Sequence, residues 1–292
     1  MNILITGATG ETGARVTRLL LERGVRPRVL TRDKDKARAL FADRVDVFVG
    51  DLASPATLCP ALEGVDALFL VTVGPEIPER DRAVAELSRE AGVGKIVKLS
   101  SLDVEQGLAI GAWHEKGESA LRAAGVPWVF VRPTGFMSNF LAWAPYIRAE
   151  GVVRSSTGNG RRPFVHPDDI AAVSVAALLD DPYLGSALPI TGPDSMTFAE
   201  ATNLIGHAIG RQLSCQVISD DEARERYSRV SGSVEETEAH VALWRAIREG
   251  RLAATTDTVE RVLGRKPLTM GHWISENAGA FLASESPLHS RD

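Results

Sequence analysis

A chain of 292 residues, 44% hydrophobic and 24% charged, has enough apolar material to bury a core and too little polar bias to stay disordered. Its formal net charge of -5 comes from interspersed acids and bases, which argues against nucleic acid or an anionic membrane surface as the main partner. Cys59 and Cys215 stand far apart without metal-ligand spacing; a reducing compartment, two structural thiols and no metal site are expected.

Taken in chain order, short β-branched or leucine-rich runs at residues 2–6, 27–31, 45–49, 66–72, 95–99 and 127–132 read as strands. Between them, residues 12–24, 34–42, 55–63, 79–92 and 112–124 carry apolar residues at helical spacing, with Gly64, Gly92 and Gly125 placed as helix stops. This βα rhythm predicts a doubly wound parallel sheet. Past residue 133 the pattern loosens into a helix near 136–149, a polar loop from Ser155 to Gly160, and a helix near 167–180. A strand at 187–191 is expected to rejoin the sheet, followed by helices near 197–209, 220–228, 234–248 and 255–263. The chain reads as one α/β domain over 1–282, with substrate-binding elements drawn from about 133–165 and 190–282. Residues 283–292 read as a tail, frayed from 284 on. The first strand starts within two residues of Met1 and no apolar run approaches a membrane span, so a soluble, cytoplasmic protein is expected.

Thr6-Gly7-Ala8-Thr9-Gly10-Glu11-Thr12-Gly13 follows the apolar run Ile3-Leu4-Ile5. A strand turning through three glycines into a helix lets backbone N–H groups approach a diphosphate, and the helix N-terminus adds partial positive charge. The G-x-x-G-x-x-G spacing is weak by itself and becomes specific through the strand–loop–helix–strand order around it. At the end of the second strand, Arg32 suits a ribose 2′-phosphate, with Lys34, Lys36 and Arg38 following. Asp33 would instead accept from a 2′-hydroxyl or cap the next helix. The basic run favours NADP(H) over NAD(H). Asp51, at the end of the third strand, reads equally as a contact to adenine or as a helix cap. Leu70-Val71-Thr72-Val73-Gly74 ends the fourth strand at the same ligand-binding edge.

The glycine loop, Arg32-Asp33, Gly50-Asp51-Leu52, Arg132-Pro133-Thr134-Gly135-Phe136-Met137 and Phe164-Val165-His166-Pro167-Asp168-Asp169-Ile170-Ala171 together resemble the NmrA-like branch of the atypical short-chain dehydrogenase/reductase superfamily. The resemblance covers roughly residues 1–282 and extends to its quinone-reductase-like members. It implies a Rossmann-like doubly wound sheet with a small C-terminal α/β substrate lobe, and an NADP(H)-preferring site lined by Gly7, Thr9, Gly10, Thr12, Gly13, Arg32, Asp51, Leu52, Thr72, Val73 and Pro133. Many members of the wider superfamily carry Tyr-x-x-x-Lys on the helix after the fifth strand. Here that helix reads Trp113-His114-Glu115-Lys116-Gly117-Glu118, and the dyad is missing. His114 and Glu118 keep the one-turn spacing, so a carboxylate could orient an imidazole that bonds a ribose or carbonyl oxygen; a plain helix-surface pair is the alternative. Lys116 lies on a different face. Ser100 and Ser101 end the fifth strand as candidate hydroxyl donors to substrate or as turn formers.

Phe136, Met137, Phe140, Trp143 and Tyr146 follow the sixth strand at near-helical spacing, and Trp113 adjoins His114; together they offer a surface for a flat apolar acceptor or ordinary core. Asp168 or Asp169 reads as the N-cap of the helix through Ala171–Leu179. The functional expectation is an NADPH-dependent oxidoreductase reducing a hydrophobic quinone, carbonyl or conjugated small molecule. Its alternatives are a non-catalytic NADP(H) sensor signalling through a partner protein and, ranked lower, an epimerase or dehydratase recycling bound cofactor. A homodimer is compatible with either class.

Overall fold

The computed structural model describes residues 1–282; the expected frayed tail lies outside the described residues. In chain order the elements are β1 (Ile3–Ile5), α1 (Glu11–Glu22), β2 (Arg28–Thr31), α2 (Lys34–Phe41), β3 (Asp46–Val49), α3 (Cys59–Leu62), β4 (Ala67–Val71), α4 (Ile77–Glu90), β5 (Lys95–Leu99) and α5 (Ala109–Ala124). They continue with β6 (Trp128–Pro133), α6 (Ala144–Glu150), β7 (Val152–Ser155), β8 (Arg161–Arg162), α7 (Pro167–Leu179), β9 (Ser186–Ile190), β10 (Met196–Thr197) and α8 (Phe198–Ala208). The last are β11 (Ser214–Val217), α9 (Asp220–Ser228), α10 (Val234–Arg248), α11 (Thr258–Leu263) and α12 (Met270–Asn277).

Seven strands form one parallel sheet in the order β3-β2-β1-β4-β5-β6-β9. Side chains alternate across it: Ile3 and Ile5 join a core with Val16 and Leu20 of α1 and Ile170 of α7, while Leu4 joins Val84 of α4 and Leu121 of α5. Helices cover both faces, which is why the strands read as unbroken apolar runs. Strand order reverses between β1 and β4, so the carboxyl ends of these neighbours open a crevice, the standard ligand position of such sheets.

The expected strand at 187–191 is β9, paired parallel with β6. Proline accounts for two differences from the expected helices. The helix near 136–149 is a 3-10 stretch, Met137–Trp143, followed by α6 with Pro145 in its first turn; proline lacks the N–H and crowds the preceding turn, so one continuous helix cannot form. Likewise 55–63 splits into a 3-10 stretch, Pro55–Leu58, and α3, each with proline in its opening turn. The two small pairings, β7 with β11 and β8 with β10, and the short α12 fall outside the expected elements. A further apolar cluster gathers residues of the later elements, among them Phe140, Ile147, Phe164, Ile205 and Trp273.

Candidate cofactor and acceptor groove

Past Ile5 the chain turns at Gly7, whose φ is +62°, and α1 begins at Glu11. Thr6 fastens the end of β1 to β4: its hydroxyl donates to the Phe69 carbonyl at 3.1 Å and accepts from the Val71 amide at 2.8 Å. Gly13 lies where the first turn of α1 crosses the loop, and a Cβ there would overlap the Gly7 carbonyl. The loop backbone is thereby held against the N-terminus of α1, a dipole end suited to phosphate.

Two adjoining hollows share Gly7, Thr9, Arg32, Val71, Thr72 and Val73. The smaller, about 310 Å³, adds Gly50, Asp51, Leu52 and Ala53; the larger, about 700 Å³, runs from Gly10, Thr12 and Gly13 past Ser100, Ser101 and His114 to Pro133, Phe136 and α10. All eleven residues expected at the cofactor therefore line one continuous crevice. An N–H-rich glycine turn at its middle, an exposed basic side chain on one arm and an apolar-walled chamber on the other fit a dinucleotide laid across the switch point.

Side chains along this crevice differ in what they can still bind. Arg32 is 80% exposed and only 3.8 Å from the Asp51 carboxylate. Asp33 is committed to the protein, since its carboxylate accepts from the Lys36 amide at 2.9 Å as the cap of α2. Asp51 accepts from the Ala53 amide at 3.0 Å, a turn role. The Thr72 hydroxyl donates to Asp81 at 2.8 Å and accepts from Lys98 at 3.0 Å, so its proton is committed to the protein.

Beneath the chamber floor lies a group with no counterpart among the expected site residues. Lys98 and Asp81, both fully buried, pair at 2.6 Å. Gly117 lets α5 approach α4 this closely, for a Cβ there would overlap the Asp81 carboxylate. A lysine in the middle of a strand buried on both faces was the sequence signal for this pair. His114 lies above, buried, with Nδ1 lacking any hydrogen-bond partner. Burial, and then the Lys98 charge, push its pKa well below the usual imidazole value, so the ring is neutral at pH 7.

The expected His114–Glu118 pair does not form. Glu118 is buried and accepts from the Ser100 hydroxyl at 2.6 Å, Arg122 at 2.8 Å, and Arg132 at 2.9 Å (Nε) and 2.6 Å (Nη2). A carboxylate holding four donors, two guanidinium groups among them, has nothing left with which to orient an imidazole. Burial pulls the Arg132 pKa down, but hydrogen bonds and charge from Glu118, with Glu105, outweigh it and leave it raised. The Ser100 proton is thus committed to Glu118, against its expected role as donor to substrate. Ser101 accepts from the Asp103 amide at 3.1 Å as cap of the next 3-10 helix and keeps its own proton.

The far end of the chamber is walled by Ile110, Phe136 and Leu243, with Asn139, Asp103, Thr134, Arg162 and His240 as its polar groups. Arg162 and His240 come from distant segments and were not foreseen. Of the aromatic and methionine residues expected to contact substrate, Phe136 alone lines this chamber. Met137 and Phe140 are 1% exposed and belong to the core; in a 3-10 stretch residues three apart share a face, and that face turns inward onto Phe164 and Trp273. Trp113 packs on Ile77 and Ala239, its indole N–H donating to Glu235 at 3.1 Å. Trp143 and Tyr146 line a separate apolar cavity of about 260 Å³ with Phe198, Tyr227 and Trp244.

The expected cap of α7 is also corrected. His166 is the N-cap, its Nδ1 accepting from the Asp168 amide at 3.1 Å, while Asp169 is buried and paired with Arg265. His166, His272 and Glu276 bring ligand-type atoms within 4.8 Å of one another. With Nδ1 accepting, the neutral His166 ring carries its proton on Nε2, 3.3 Å from Glu276, and such a nitrogen is not a metal ligand. No helix among the described residues is long and apolar enough to cross a membrane.

The NAD(P)H-binding family matches residues 7–181. A (4-alkanoyl-5-oxo-2,5-dihydrofuran-3-yl)methyl phosphate reductase of Streptomyces griseus is 38% identical, covering 96% of this chain and 99% of its own. An NAD(P)H azoreductase of Xenophilus azovorans is 33% identical, covering 97% and 100%. In three dimensions the chain is similar to an NADPH-dependent quinone oxidoreductase of Escherichia coli, with a TM-score of 0.83, 24% identity, and 94% and 98% of the two chains covered. The chain belongs to the NAD(P)H-binding family, which is consistent with the NmrA-like resemblance carried by its sequence motifs.

Proposed function

We propose that the chain is a reductase that prefers NADPH and reduces a hydrophobic conjugated acceptor, a quinone or an unsaturated carbonyl, in the chamber beside His114. When bound, the dihydronicotinamide supplies the hydride. The observation that carries this reading is a neutral imidazole lining the groove, at the junction between the glycine-loop crevice and an apolar-walled chamber. His114 is held neutral by its surroundings, so it acts by hydrogen bonding and does not bring a full charge to the site.

The cofactor preference rests on the second strand's end. Asp33, the residue that would favour a ribose 2′-hydroxyl, is turned into the cap of α2. Arg32 and Lys36 both line the groove and supply positive charge for a 2′-phosphate. The acceptor class rests on the missing tyrosine, because two-electron reduction of a quinone or conjugated system needs less acid assistance than reduction of a simple ketone. The two relatives' names support it, since a conjugated lactone and an azo compound are both electron-poor π systems.

The test is to mix the purified protein with NADPH or NADH and a panel of quinones, unsaturated lactones and azo compounds. The expected result is NADPH oxidation above background with at least one conjugated acceptor, slowed by His114→Leu. Tight NADPH binding with no oxidation across the panel would contradict this reading and leave the sensor and the epimerase-type alternatives.

A further inference from the structure

Arg162 is the unexplained group in the chamber. It is 5% exposed and pairs with Asp103, itself 4% exposed, at 2.9 Å through Nη2. Its Nε donates to the Thr134 hydroxyl at 3.0 Å. The planar group is therefore clamped along one edge, and no rotamer search remains when a ligand arrives. Gly135 leaves room for it, because a Cβ there would come within 3.1 Å of Nε and of the Phe164 ring.

Among the described residues, Nη1 pairs with no protein acceptor, and it is not one of the fully buried orphan atoms. Since Arg162 lines the groove, its remaining N–H groups open into the chamber. The neighbouring His240 does not compete for them. Its Nδ1 faces the Glu236 carbonyl at 2.9 Å and its Nε2 the Tyr227 hydroxyl at 3.0 Å. Burial first, against the pull of Glu236 and Asp103, lowers its pKa and keeps it neutral. The wall around Arg162 is apolar, with Ile110, Phe136 and Leu243. A flat molecule lodged between those residues would present an edge oxygen to the only guanidinium at this end of the chamber among the described residues.

We propose that Arg162 is the acceptor-binding residue: its Nη1 donates to a carbonyl oxygen of the substrate, selecting conjugated acceptors in which reduction places negative charge on that oxygen. The assignment rests on the reductase reading above. In the reaction the acceptor gains two electrons and one hydrogen as a hydride from NAD(P)H. The carbonyl π bond opens, directly or through the conjugated system, and its oxygen becomes anionic as an enolate or hydroquinone anion. That oxygen then takes a proton from water, so NAD(P)H, acceptor and one proton give NAD(P)⁺ and reduced acceptor. Arg162 is placed where this charge develops, supplying the stabilisation that a tyrosine proton supplies elsewhere in the superfamily. Asp103 sets its strength, balancing the guanidinium charge in the resting protein while leaving Nη1 for the ligand.

Equilibrium binding to the protein–NADP⁺ complex tests this without turnover. The probes are 2-hydroxy-1,4-naphthoquinone, an anion at neutral pH, and the uncharged 2-methyl-1,4-naphthoquinone, titrated calorimetrically. Removing both charges in Arg162→Met/Asp103→Asn is expected to weaken both probes about tenfold, the scale of a hydrogen bond from a charged donor. Asp103→Asn alone leaves the guanidinium unbalanced and is expected to tighten the anionic probe several-fold relative to the neutral one. NADPH affinity, measured on the same samples, stays at the wild-type value in both. Wild-type probe affinities in a folded double variant overturn the proposal, as does an unchanged anion-to-neutral ratio in Asp103→Asn; if the single variant, with its unpaired buried charge, does not fold, the double variant decides alone. Failure of the reductase reading looks different, since wild-type protein would then oxidise no NADPH with any acceptor.

Discussion

At one end of the groove the lining is mainly backbone: Gly7, Gly10 and Gly13 form the turn, the Thr72 hydroxyl proton is held by Asp81, and the basic Arg32 stands in solvent. At the other end the surface rests on buried ionised side chains, with Lys98 on Asp81, Glu118 under two arginines and Ser100, and Arg162 on Asp103. The first design fixes a shape and leaves affinity to N–H groups and the helix dipole. The second fixes a field, and charges buried this way survive only because each one's partner is in place. Cofactor binding should therefore fail by steric insult, and the acceptor end by loss of a partner.

The largest break expected is at the buried end. Lys98→Met leaves the Asp81 carboxylate in the core with only the Thr72 hydroxyl and should cost about 3–5 kcal/mol of unfolding free energy in urea. Lys98→Met/Asp81→Asn should recover most of it; a single variant within about 1 kcal/mol of wild type would mean the pair is not the support described. Next comes the backbone end. Gly13→Ala forces a Cβ onto the Gly7 carbonyl, an overpacking of about 1–3 kcal/mol, and should weaken NADPH binding roughly 10- to 100-fold by fluorescence titration. A smaller effect is expected from Arg32→Ala, which should lower NADPH affinity roughly tenfold with NADH affinity unchanged. Equal losses for both cofactors would remove Arg32 from the 2′-phosphate site.

The smallest effect concerns how α10, which carries His240 and Leu243, is held. Asp220 at the start of α9 pairs with Arg245 and Arg248 of α10. Hydrogen bonds from Arg248, working against burial and helped by Arg245, lower its pKa from the usual 3.8 to about 2. A folded-state pKa below the unfolded one means the stabilisation is complete above about pH 4 and fades as pH falls toward 2. For so exposed a cluster it should be under about 1 kcal/mol. Asp220→Asn should therefore flatten the acid limb of the stability profile slightly; an unchanged limb would show that the clamp contributes nothing.

What could be read from the sequence divides along the same line. Strand rhythm, glycine loop and the eleven crevice residues are local features, each set by a short stretch, and the fold brings them together as expected. The charged end depends on partners distant in sequence. Arg162 meets Asp103 across 59 residues, and His240 arrives on a helix with no motif of its own. Lys98 alone carried a signal, as a charge inside a buried strand. Two differences lie in local geometry. The apolar spacing predicts one helix over residues 136–149, where Pro145 and a 3-10 stretch turn Met137 and Phe140 inward, and the composition at the start of α7 favours an aspartate cap where a histidine ring nitrogen does the work. Glu118 was misassigned for a third reason: one-turn spacing from His114 says nothing of the arginines on neighbouring elements.

The central claim is that one groove seats the dinucleotide across the switch point with its reactive ring at His114. A crystal structure of the protein with NADP⁺ tests it most directly. The account predicts the diphosphate against Gly10–Gly13, the 2′-phosphate beside Arg32, and the nicotinamide against the His114 ring, facing Arg162 across the chamber. A nicotinamide turned away from His114, or a cofactor lying outside the two joined hollows, would contradict it.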